Sequence, residues 1–316
     1  MKKFLITGGS GFIGSNICKF LAKKGHKVIS FDNNSRKNRK NDLSDTKNIK
    51  YLKGDITNKK DLLKIKTKFD AIIHLAFING TKFFYEKPES VIHVGILGML
   101  NIIEFARTKN VKEFYLASSS EVYQTPIKIP TDEKEIMKIP DPYNPRYSYA
   151  GSKILSEIIA INYGKKFLDK LIIFRPHNVY GPNMGNEHVI PEIIKKITIA
   201  LKKKDKFIKI QGSGQETRTS NYIDDFVNGV GILITRAKNF NTFNIGDNYE
   251  IKIIDLIKKI MQIMKINLKI KTDKLTKGSA QRRRPDINKI KQLGFKPKIS
   301  LEKGLIKTVK WYLKNS

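Results

Sequence analysis

Short apolar runs and amphipathic segments alternate along the first half of the chain. Apolar runs bounded by glycine or polar residues are typical of buried strands, and apolar residues at helical spacing are typical of helices packed on a sheet. Strands are predicted at residues 2–7, 27–31, 49–53, 71–75, 113–117 and 171–174, and helices at residues 12–24, 91–106 and 149–163. This alternation predicts an α/β fold, a doubly wound parallel sheet with helices on both faces.

The second half of the chain loses this regularity. Pro176, Pro182 and Pro191 interrupt it, and from about residue 250 short helices alternate with basic loops. We expect one domain at residues 1–175, with a return of the chain near 216–246, and a smaller C-terminal lobe made mainly of residues 176–316. The most polar segment, residues 33–48, is predicted to be a mobile loop.

Composition limits the class of protein. The chain has 316 residues, of which 40% are hydrophobic, enough for a core of ordinary size. No apolar run reaches the roughly 18 residues that a membrane span needs. Gly8 and Gly9 stop the apolar start before it resembles a signal peptide, and the single cysteine, Cys18, excludes an internal disulfide. We therefore expect a soluble, cytoplasmic protein.

The formal net charge of +32 is the unusual bulk property, and it suggests a nucleic-acid or anionic-membrane partner. The lysines are spread over the whole chain, however, and isoleucine and asparagine are also abundant, which indicates a compositional bias. We interpret the charge as a solvated lysine-rich surface that helps to attract an anionic substrate. We expect neither a membrane nor a nucleic-acid partner.

A glycine-rich segment follows the first predicted strand and opens the first predicted helix. It reads Gly8-Gly9-Ser10-Gly11-Phe12-Ile13-Gly14. Glycines permit a tight turn and the close approach of a pyrophosphate, which then meets free N–H groups at the positive end of the helix dipole. In this strand–turn–helix context the pattern predicts a dinucleotide site in a Rossmann domain. The expected contacts are Gly8, Gly11, Phe12, Ile13 and Gly14.

Asp32 ends the second predicted strand, 18 residues after Gly14. An acid at this point accepts hydrogen bonds from both adenosine-ribose hydroxyls and repels a 2′-phosphate, which favours NAD over NADP. Arg36 and Lys37 follow closely and weaken that preference.

The ends of the third and fourth predicted strands extend the same site. Asp55 and Ile56 close the third strand, where Asp55 either faces the adenine amino group or caps the next helix. Leu75 and Ala76 close the fourth strand against the cofactor. The neighbouring His74 is more often a core histidine than a catalytic residue.

Tyr149 is the one tyrosine of twelve that has a lysine or arginine four residues downstream, namely Lys153. Residues at i and i+4 of a helix are neighbours. An ammonium beside a phenol stabilises the phenolate, so the tyrosine pKa moves toward the working pH and the phenolate can accept a hydroxyl proton. Together with the glycine-rich segment and the run Ser118-Ser119-Ser120-Glu121, about 30 residues before it, the pair predicts hydride chemistry on a sugar hydroxyl.

Several motifs in the expected order resemble those of the extended short-chain dehydrogenase/reductases, and more narrowly those of the nucleotide-sugar epimerases, dehydratases and decarboxylases. They are residues 7–14, Ala117-Ser118-Ser119-Ser120-Glu121-Val122-Tyr123, Tyr149-xxx-Lys153, residues 175–182, residues 212–218, Tyr222-Ile223-Asp224-Asp225 and Arg283-Arg284-Pro285-Asp286. The resemblance covers nearly the whole chain. It implies a Rossmann domain, NAD as cofactor, a C-terminal substrate-binding lobe and no metal site.

The resemblance implies a role for each matching residue of the catalytic centre. Tyr149 would be the acid/base at the sugar hydroxyl, Lys153 would bind the nicotinamide ribose and lower the tyrosine pKa, and Ser119 would hydrogen-bond the same hydroxyl. Glu121 would be available for a second step, as the base that removes the C5 proton in dehydratases. Decarboxylases also keep a glutamate there, so Glu121 does not choose the reaction. It could also simply cap the strand end.

For the substrate, the resemblance implies that Asn178 holds the phosphates and that Arg218 and Arg283 neutralise the diphosphate of a nucleotide-diphosphate sugar. Arg282 and Arg284 are adjacent alternatives to Arg283. The segment at residues 183–191 would lie near the sugar.

Within that segment, Val189 is an expected contact. Glu187 and His188 are candidates for specificity, or equally for surface loop residues.

Four positions depart from the family pattern. Gly95 stands where asparagine is usual near the cofactor, Ser120 where dehydratases often have aspartate, Gln124 where glycine is usual, and Asn183 where arginine is common. These departures predict an altered cofactor contact and a different substrate pocket.

The leading hypothesis is therefore an NAD-dependent nucleotide-sugar epimerase or dehydratase that transiently oxidises C4. The alternatives in the same family are a nucleotide-uronate decarboxylase and a 4-dehydrogenase or reductase. An alternative of another class is a non-catalytic nucleic-acid-binding protein on the same fold. Family members usually form homodimers through two helices, here residues 88–109 and 147–167.

Overall fold

The computed structural model describes residues 1–35, 46–274, 278 and 280–315. Arg36, Lys37 and most of the predicted polar loop at residues 33–48 lie outside the described residues.

The strands and helices agree with the predicted alternation. The strands are β1 (Lys3–Thr7), β2 (Lys27–Asp32), β3 (Ile49–Lys53), β4 (Ala71–His74), β5 (Glu113–Ala117), β6 (Lys170–Pro176), β7 (Val179–Tyr180), β8 (Phe207–Gln211), β9 (Thr217–Thr219), β10 (Asn221–Tyr222), β11 (Asn241–Ile245), β12 (Glu250–Lys252), β13 (Lys269–Asp273) and β14 (Arg282–Arg283). The helices are α1 (Phe12–Lys23), α2 (Lys59–Leu63), α3 (Thr81–Glu86), α4 (Pro88–Thr108), α5 (Tyr147–Gly164), α6 (Val189–Lys202), α7 (Ile223–Arg236), α8 (Ile253–Met264), α9 (Asn288–Lys291) and α10 (Leu301–Lys314).

The central sheet confirms the predicted doubly wound Rossmann topology. Within the described residues, its seven strands run in the order β11-β6-β5-β4-β1-β2-β3, and every neighbouring pair is parallel. The strand order reverses between β1 and β4, which is the position where ligands bind in such sheets. The outermost strand, β11, comes from the predicted return of the chain. The chain leaves the sheet after β6, forms other elements and then returns to add this last strand.

Alternate residues of the strands enter two different cores, because successive side chains of a strand point to opposite faces. Phe4 and Ile6 of β1 pack with α1 and α7, whereas Leu5 packs with α4 and α5. Helices therefore cover both faces, and the apolar runs of the central strands are explained by burial on both sides.

The C-terminal region is built around α6, α8 and α10 with the parallel pair β8–β13. Here the expectation of short helices is wrong, because α8 has 12 residues and α10 has 14. Lysines dominate their exposed faces and hide the helical period of the apolar residues. The domain boundary at residues 175/176 stays a prediction.

Helix α4 is the one described helix that has the length and composition of a membrane span, with a mean hydropathy of 1.4 over 18 residues. Half of that window is buried inside the protein, where α4 packs along α5. Core helices of soluble proteins have the same properties.

A buried ion pair ties α5 to β6 behind the carboxyl edge of the sheet. The Nε and Nη2 atoms of Arg175 donate to the Glu157 carboxylate at 2.9 and 2.7 Å, and both side chains are at most 4% exposed. Arg175 Nη1 also donates to the Tyr123 hydroxyl at 2.7 Å, which in turn donates to Asn244 of β11 at 2.9 Å. This network joins β6 and β11 to the loop that follows β5.

We expect Glu157→Leu to lower the free energy of unfolding by roughly 3 to 5 kcal/mol, because it leaves a buried guanidinium without its counter-charge. The double variant Glu157→Leu/Arg175→Met should recover most of that loss, because neither charge then remains buried. Urea unfolding of the three proteins measures both effects. A double variant as unstable as the single variant would contradict the explanation by charge.

Candidate functional site

A single cleft of about 1150 Å³ lies along the carboxyl ends of the strands and extends to the C-terminal region. Every site residue predicted from the sequence lines it. They are Gly8, Gly11, Phe12, Ile13, Gly14, Asp32, Asp55, Ile56, Leu75, Ala76, Ser119, Glu121, Tyr149, Lys153, Asn178, Val189, Arg218 and Arg283.

The glycine-rich loop is packed so tightly that side chains have no room. Gly8 has a φ of +72°, and a Cβ there would lie 2.8 Å from backbone atoms of Ala76. A Cβ on Gly14 would collide with the carbonyl oxygen of Gly8. Gly11 is the N-cap of α1 and provides no side-chain cap, so the first N–H groups of the helix face the cleft without an internal acceptor from that residue. This geometry fits a pyrophosphate at the helix N-terminus.

The two aspartates at the strand ends have different environments. Asp32 accepts from the backbone N–H groups of Ser10 and Asn34, at 3.0 and 2.8 Å. Burial raises the pKa of the Asp55 carboxyl, but hydrogen bonds from Asn33 and Thr57 outweigh burial and lower it. Asp55 is not the helix cap, because Asn58 caps α2. Both aspartates line the cleft at the ends of their strands.

Lys153 is a buried cation on the first turns of α5. Its Nζ donates to the carbonyl oxygen of Ala117, at the end of β5, at 2.7 Å. Burial lowers the pKa of the Lys153 ammonium to about 7, against the opposing effect of Glu157. The nearby His74 accepts or shares a hydrogen bond with Thr7 at 2.7 Å, and burial lowers its pKa to about 3, so it is a neutral core residue.

Tyr149 lies one helical turn before Lys153 and is buried among aromatic rings. The ring of Phe84 stacks on it with centroids 4.7 Å apart, and the ring of Phe77 meets it edge-on at 5.2 Å. Ser119 caps the short 3₁₀ helix Ser120–Tyr123 by accepting from the N–H of Glu121 at 3.1 Å. The phenol, the ammonium and the serine hydroxyl line the same cleft.

Glu121 is held by arginines from two other parts of the chain. Both terminal nitrogens of Arg283, on β14, donate to the Glu121 carboxylate, and a terminal nitrogen of Arg146 lies 3.9 Å from it. Burial raises the pKa of Glu121, but the Arg283 guanidinium outweighs burial and brings it to about 2. Glu121 is thus a firmly ionised carboxylate, and the arginines around it outnumber it.

The other predicted substrate contacts already have backbone partners. Arg218 donates to the carbonyl oxygens of Ala280 and Thr217, at 2.6 and 2.7 Å, and so anchors the segment that carries Arg283. Asn178 has a φ of +42° and donates to the carbonyl oxygen of Thr219 at 2.9 Å. Val189 is the first residue of α6.

Among the cleft residues that sequence reasoning did not identify, Arg146 and Phe77 contact the predicted site residues. Arg146 precedes α5 and acts on Glu121 from a position that belongs to no motif. Phe77 follows the fourth strand directly, and its hydrophobicity gave no reason to separate it from the core. Among the described residues, no cluster of three or more histidine, cysteine or acidic side chains suggests a metal site.

The comparison with known protein families gives one match that spans the chain. The family model described as GDP-mannose 4,6 dehydratase matches residues 5–308.

Individual relatives and structures agree with it. A UDP-N-acetyl-α-D-glucosaminuronate decarboxylase of Bacillus cytotoxicus is 32% identical and covers 98% of both chains. A UDP-glucuronate 4-epimerase of Thermodesulfobacterium geofontis is 32% identical over 100% of this chain and 97% of its own. The solved structure of UDP-glucose 4-epimerase from Thermotoga maritima with UDP-glucose superposes with a TM-score of 0.87 at 27% identity, covering 99% of each chain.

We expect Glu121→Gln to lower the free energy of unfolding at pH 7 by roughly 2 kcal/mol, because a neutral amide cannot balance Arg283 and Arg146. The folded-state pKa of Glu121 is depressed, so the wild-type advantage is complete above about pH 4.5 and is lost as the pH falls toward about 2. Urea unfolding between these pH values measures it.

The matched control is Glu192→Gln, which removes an exposed partner of Lys196. It should change stability by no more than about 0.5 kcal/mol at any pH. If the difference in free energy of unfolding between the wild type and Glu121→Gln stayed the same at low pH, charge would not be its cause.

Proposed function

Because the chain belongs to the GDP-mannose 4,6-dehydratase family, a family of nucleotide-sugar dehydratases, epimerases and decarboxylases, we propose that it is an NAD-dependent nucleotide-sugar epimerase or dehydratase that transiently oxidises the C4 hydroxyl. The observation that carries this proposal is the shared cleft: Ser119, Tyr149 and Lys153 line the wall of the pocket that the glycine-rich loop closes. The groups proposed to transfer a proton and the loop proposed to bind a dinucleotide therefore lie in the same cleft.

NAD fits the described residues. The loop from Gly8 to Gly14 would hold the pyrophosphate, since its backbone leaves no room for side chains. Asp32 would accept from the adenosine ribose, and Lys153 would contact the nicotinamide ribose. When bound, the nicotinamide accepts a hydride and later returns it.

Tyr149 is the proton acceptor in this proposal. As a phenolate it takes the proton of the C4 hydroxyl, and the rings of Phe77 and Phe84 hold its ring in place. The Lys153 ammonium, one helical turn away, stabilises the phenolate. Ser119 donates to the same substrate oxygen and orients it. Oxidation at C4 makes the C5 proton acidic, which opens the second step.

The surroundings of Glu121 bear on whether it can act as the base in that second step. Dehydration needs a base at C5 and an acid for the leaving hydroxyl. Glu121 is committed to Arg283, with a pKa of about 2, and its neighbour is Ser120 rather than an acid. In this chain, dehydration would therefore require the Glu121–Arg283 pair to open when substrate binds.

Decarboxylation of a nucleotide-linked uronate is the second candidate. Arg146, Arg218 and Arg283 outnumber the two carboxylates near them, Glu121 and Glu216, so the site has positive charge left for a further anion. A carboxylate beside a C4 ketone is lost as carbon dioxide without a base at C5. Two relatives at 32% identity act, by name, on uronates.

The proposal includes a homodimer and a cytoplasmic location. Helices α4 and α5 pack together and leave large apolar side chains exposed on their outer surfaces, namely Ile92, Leu155 and Ile158. Burial of these side chains between two copies supports dimerisation through both helices. The same contact would cover the apolar surface of α4.

The proposal predicts that Tyr149→Phe lowers turnover of the substrate at least about 100-fold, because no phenol remains to take the hydroxyl proton. Purified protein is incubated with NAD and a set of UDP-, GDP-, dTDP- and CDP-linked sugars and uronates, and products are identified by mass spectrometry. Loss of water means dehydration, loss of carbon dioxide means decarboxylation, and an isomer of unchanged mass means epimerisation.

The control is Tyr163→Phe, an exposed tyrosine on the same helix. It should turn over substrate at the wild-type rate. Full activity of Tyr149→Phe would overturn the proposed role of Tyr149, and failure of every sugar nucleotide to react would overturn the substrate class.

A further inference from the structure

Phe77 presents the face of its ring to the buried cation of the cleft. The Lys153 Nζ lies 3.9 Å from the centroid of this ring, within cation–π distance. The same ring meets the Tyr149 ring edge-on, at 5.2 Å between centroids. One side chain thus touches both members of the i, i+4 pair.

Gly95 of α4 is what makes room for the ring. A Cβ on Gly95 would lie 2.5 Å from Cζ of Phe77 and 2.8 Å from Cβ of Ser152. Gly95 is in the middle of a helix and has no positive φ, so its backbone does not require glycine. A glycine there costs about 1 kcal/mol relative to alanine, which the packing of Phe77 explains.

The Phe77 ring also stabilises the charge of Lys153, which the surrounding ionisable groups do not fully compensate. In the part of the chain that the structure describes, the ammonium has one hydrogen bond, to Ala117. The ionisable groups that face it are Tyr149 and Glu157 on α5 and His74 on β4. His74 is neutral, and the Glu157 carboxylate is bound bidentately to Arg175.

We propose that Phe77 is a positioning residue for the Lys153–Tyr149 pair, and that Gly95 is present to admit it. The ring stabilises the charged ammonium and fixes its direction toward the cleft, where the proposed function needs it to contact the nicotinamide ribose. The inference rests on that function for its purpose, although the contact between Phe77 and Gly95 can be tested without it. Phe84, Phe83 and Val91 pack nearby, so simple core filling is the reading to be excluded.

A thermal-unfolding cycle tests the contact. Gly95→Ala should lower Tm by roughly 3 to 10 °C, because the new methyl group overlaps Phe77. In the Phe77→Leu background the same substitution should cost less than half as much; the remainder reflects Ser152. Gly98→Ala is the matched control, because a Cβ there meets Ile56 instead, and Phe77→Leu should not relieve it. Equal losses from Gly95→Ala in both backgrounds would overturn the role of Gly95.

The dissociation constant of NAD, measured by calorimetry between pH 5.5 and about 9, tests the role toward Lys153. NAD should bind most tightly while Lys153 is charged and more weakly as the pH rises through its pKa of about 7. The Phe77 ring favours the charged form of Lys153. Phe77→Leu and Phe77→Met should therefore lower the midpoint of the pH dependence of NAD binding by roughly one pH unit.

Phe83→Leu is the packing control, because Phe83 belongs to the same apolar cluster and does not line the cleft. Its midpoint should equal that of the wild type. A midpoint unchanged in both Phe77 variants would overturn the proposal while leaving the proposed function intact. Wild-type protein that binds no NAD at any pH would overturn both.

Discussion

The buried ammonium of Lys153 is the constraint on which the rest of the site depends. A lysine charge taken out of water must find compensation, or its proton is lost. Here α5 is docked so that Lys153 reaches the carbonyl oxygen at the end of β5, and the ring of Phe77 covers the ammonium. The docking itself is secured by the packing of α4 on α5 and by the Glu157–Arg175 pair one turn further along. Sheet, helices and cleft are therefore coupled through one side chain.

The C-terminal region contributes to the cleft through a second charge arrangement. Arg283 crosses from β14 to Glu121, and Arg218 of β9 holds the preceding segment by its carbonyl oxygens. The two strands are paired in register, with Arg283 opposite Arg218. The C-terminal region thus brings the arginines to the carboxylate that follows β5, and both parts of the chain line the cleft there.

How much the sequence could predict follows from the range of each interaction. The glycine-rich loop, the strand ends and the Tyr149–Lys153 pair are local patterns, so their position in one cleft followed from the order of strands alone. The arginines around Glu121 come from points far apart in the chain, and no spacing rule relates residue 121 to residue 283. Phe77 and Gly95 are similarly a packing match between a loop and a helix: Gly95 stood out in the sequence as a departure from the family pattern, but nothing in the sequence related it to Phe77. The edge strand β11 was predicted only as a return of the chain, because a short edge strand carries little apolar pattern.

Under the proposed function, the pairing of Glu121 with Arg283 would link substrate binding to the choice of reaction. An anionic group that enters the cleft competes with Glu121 for the guanidinium, since both are oxygen anions of similar geometry. Under the proposed function, a diphosphate bound to Arg283 would release the carboxylate, whose pKa would then rise toward the ordinary range and make it a stronger base. A uronate carboxylate bound to Arg146 while Arg283 stayed with Glu121 would leave no base to remove a proton, and the oxidised sugar would lose carbon dioxide instead. The position of the substrate's negative charges relative to the arginines would thus select between proton removal and decarboxylation.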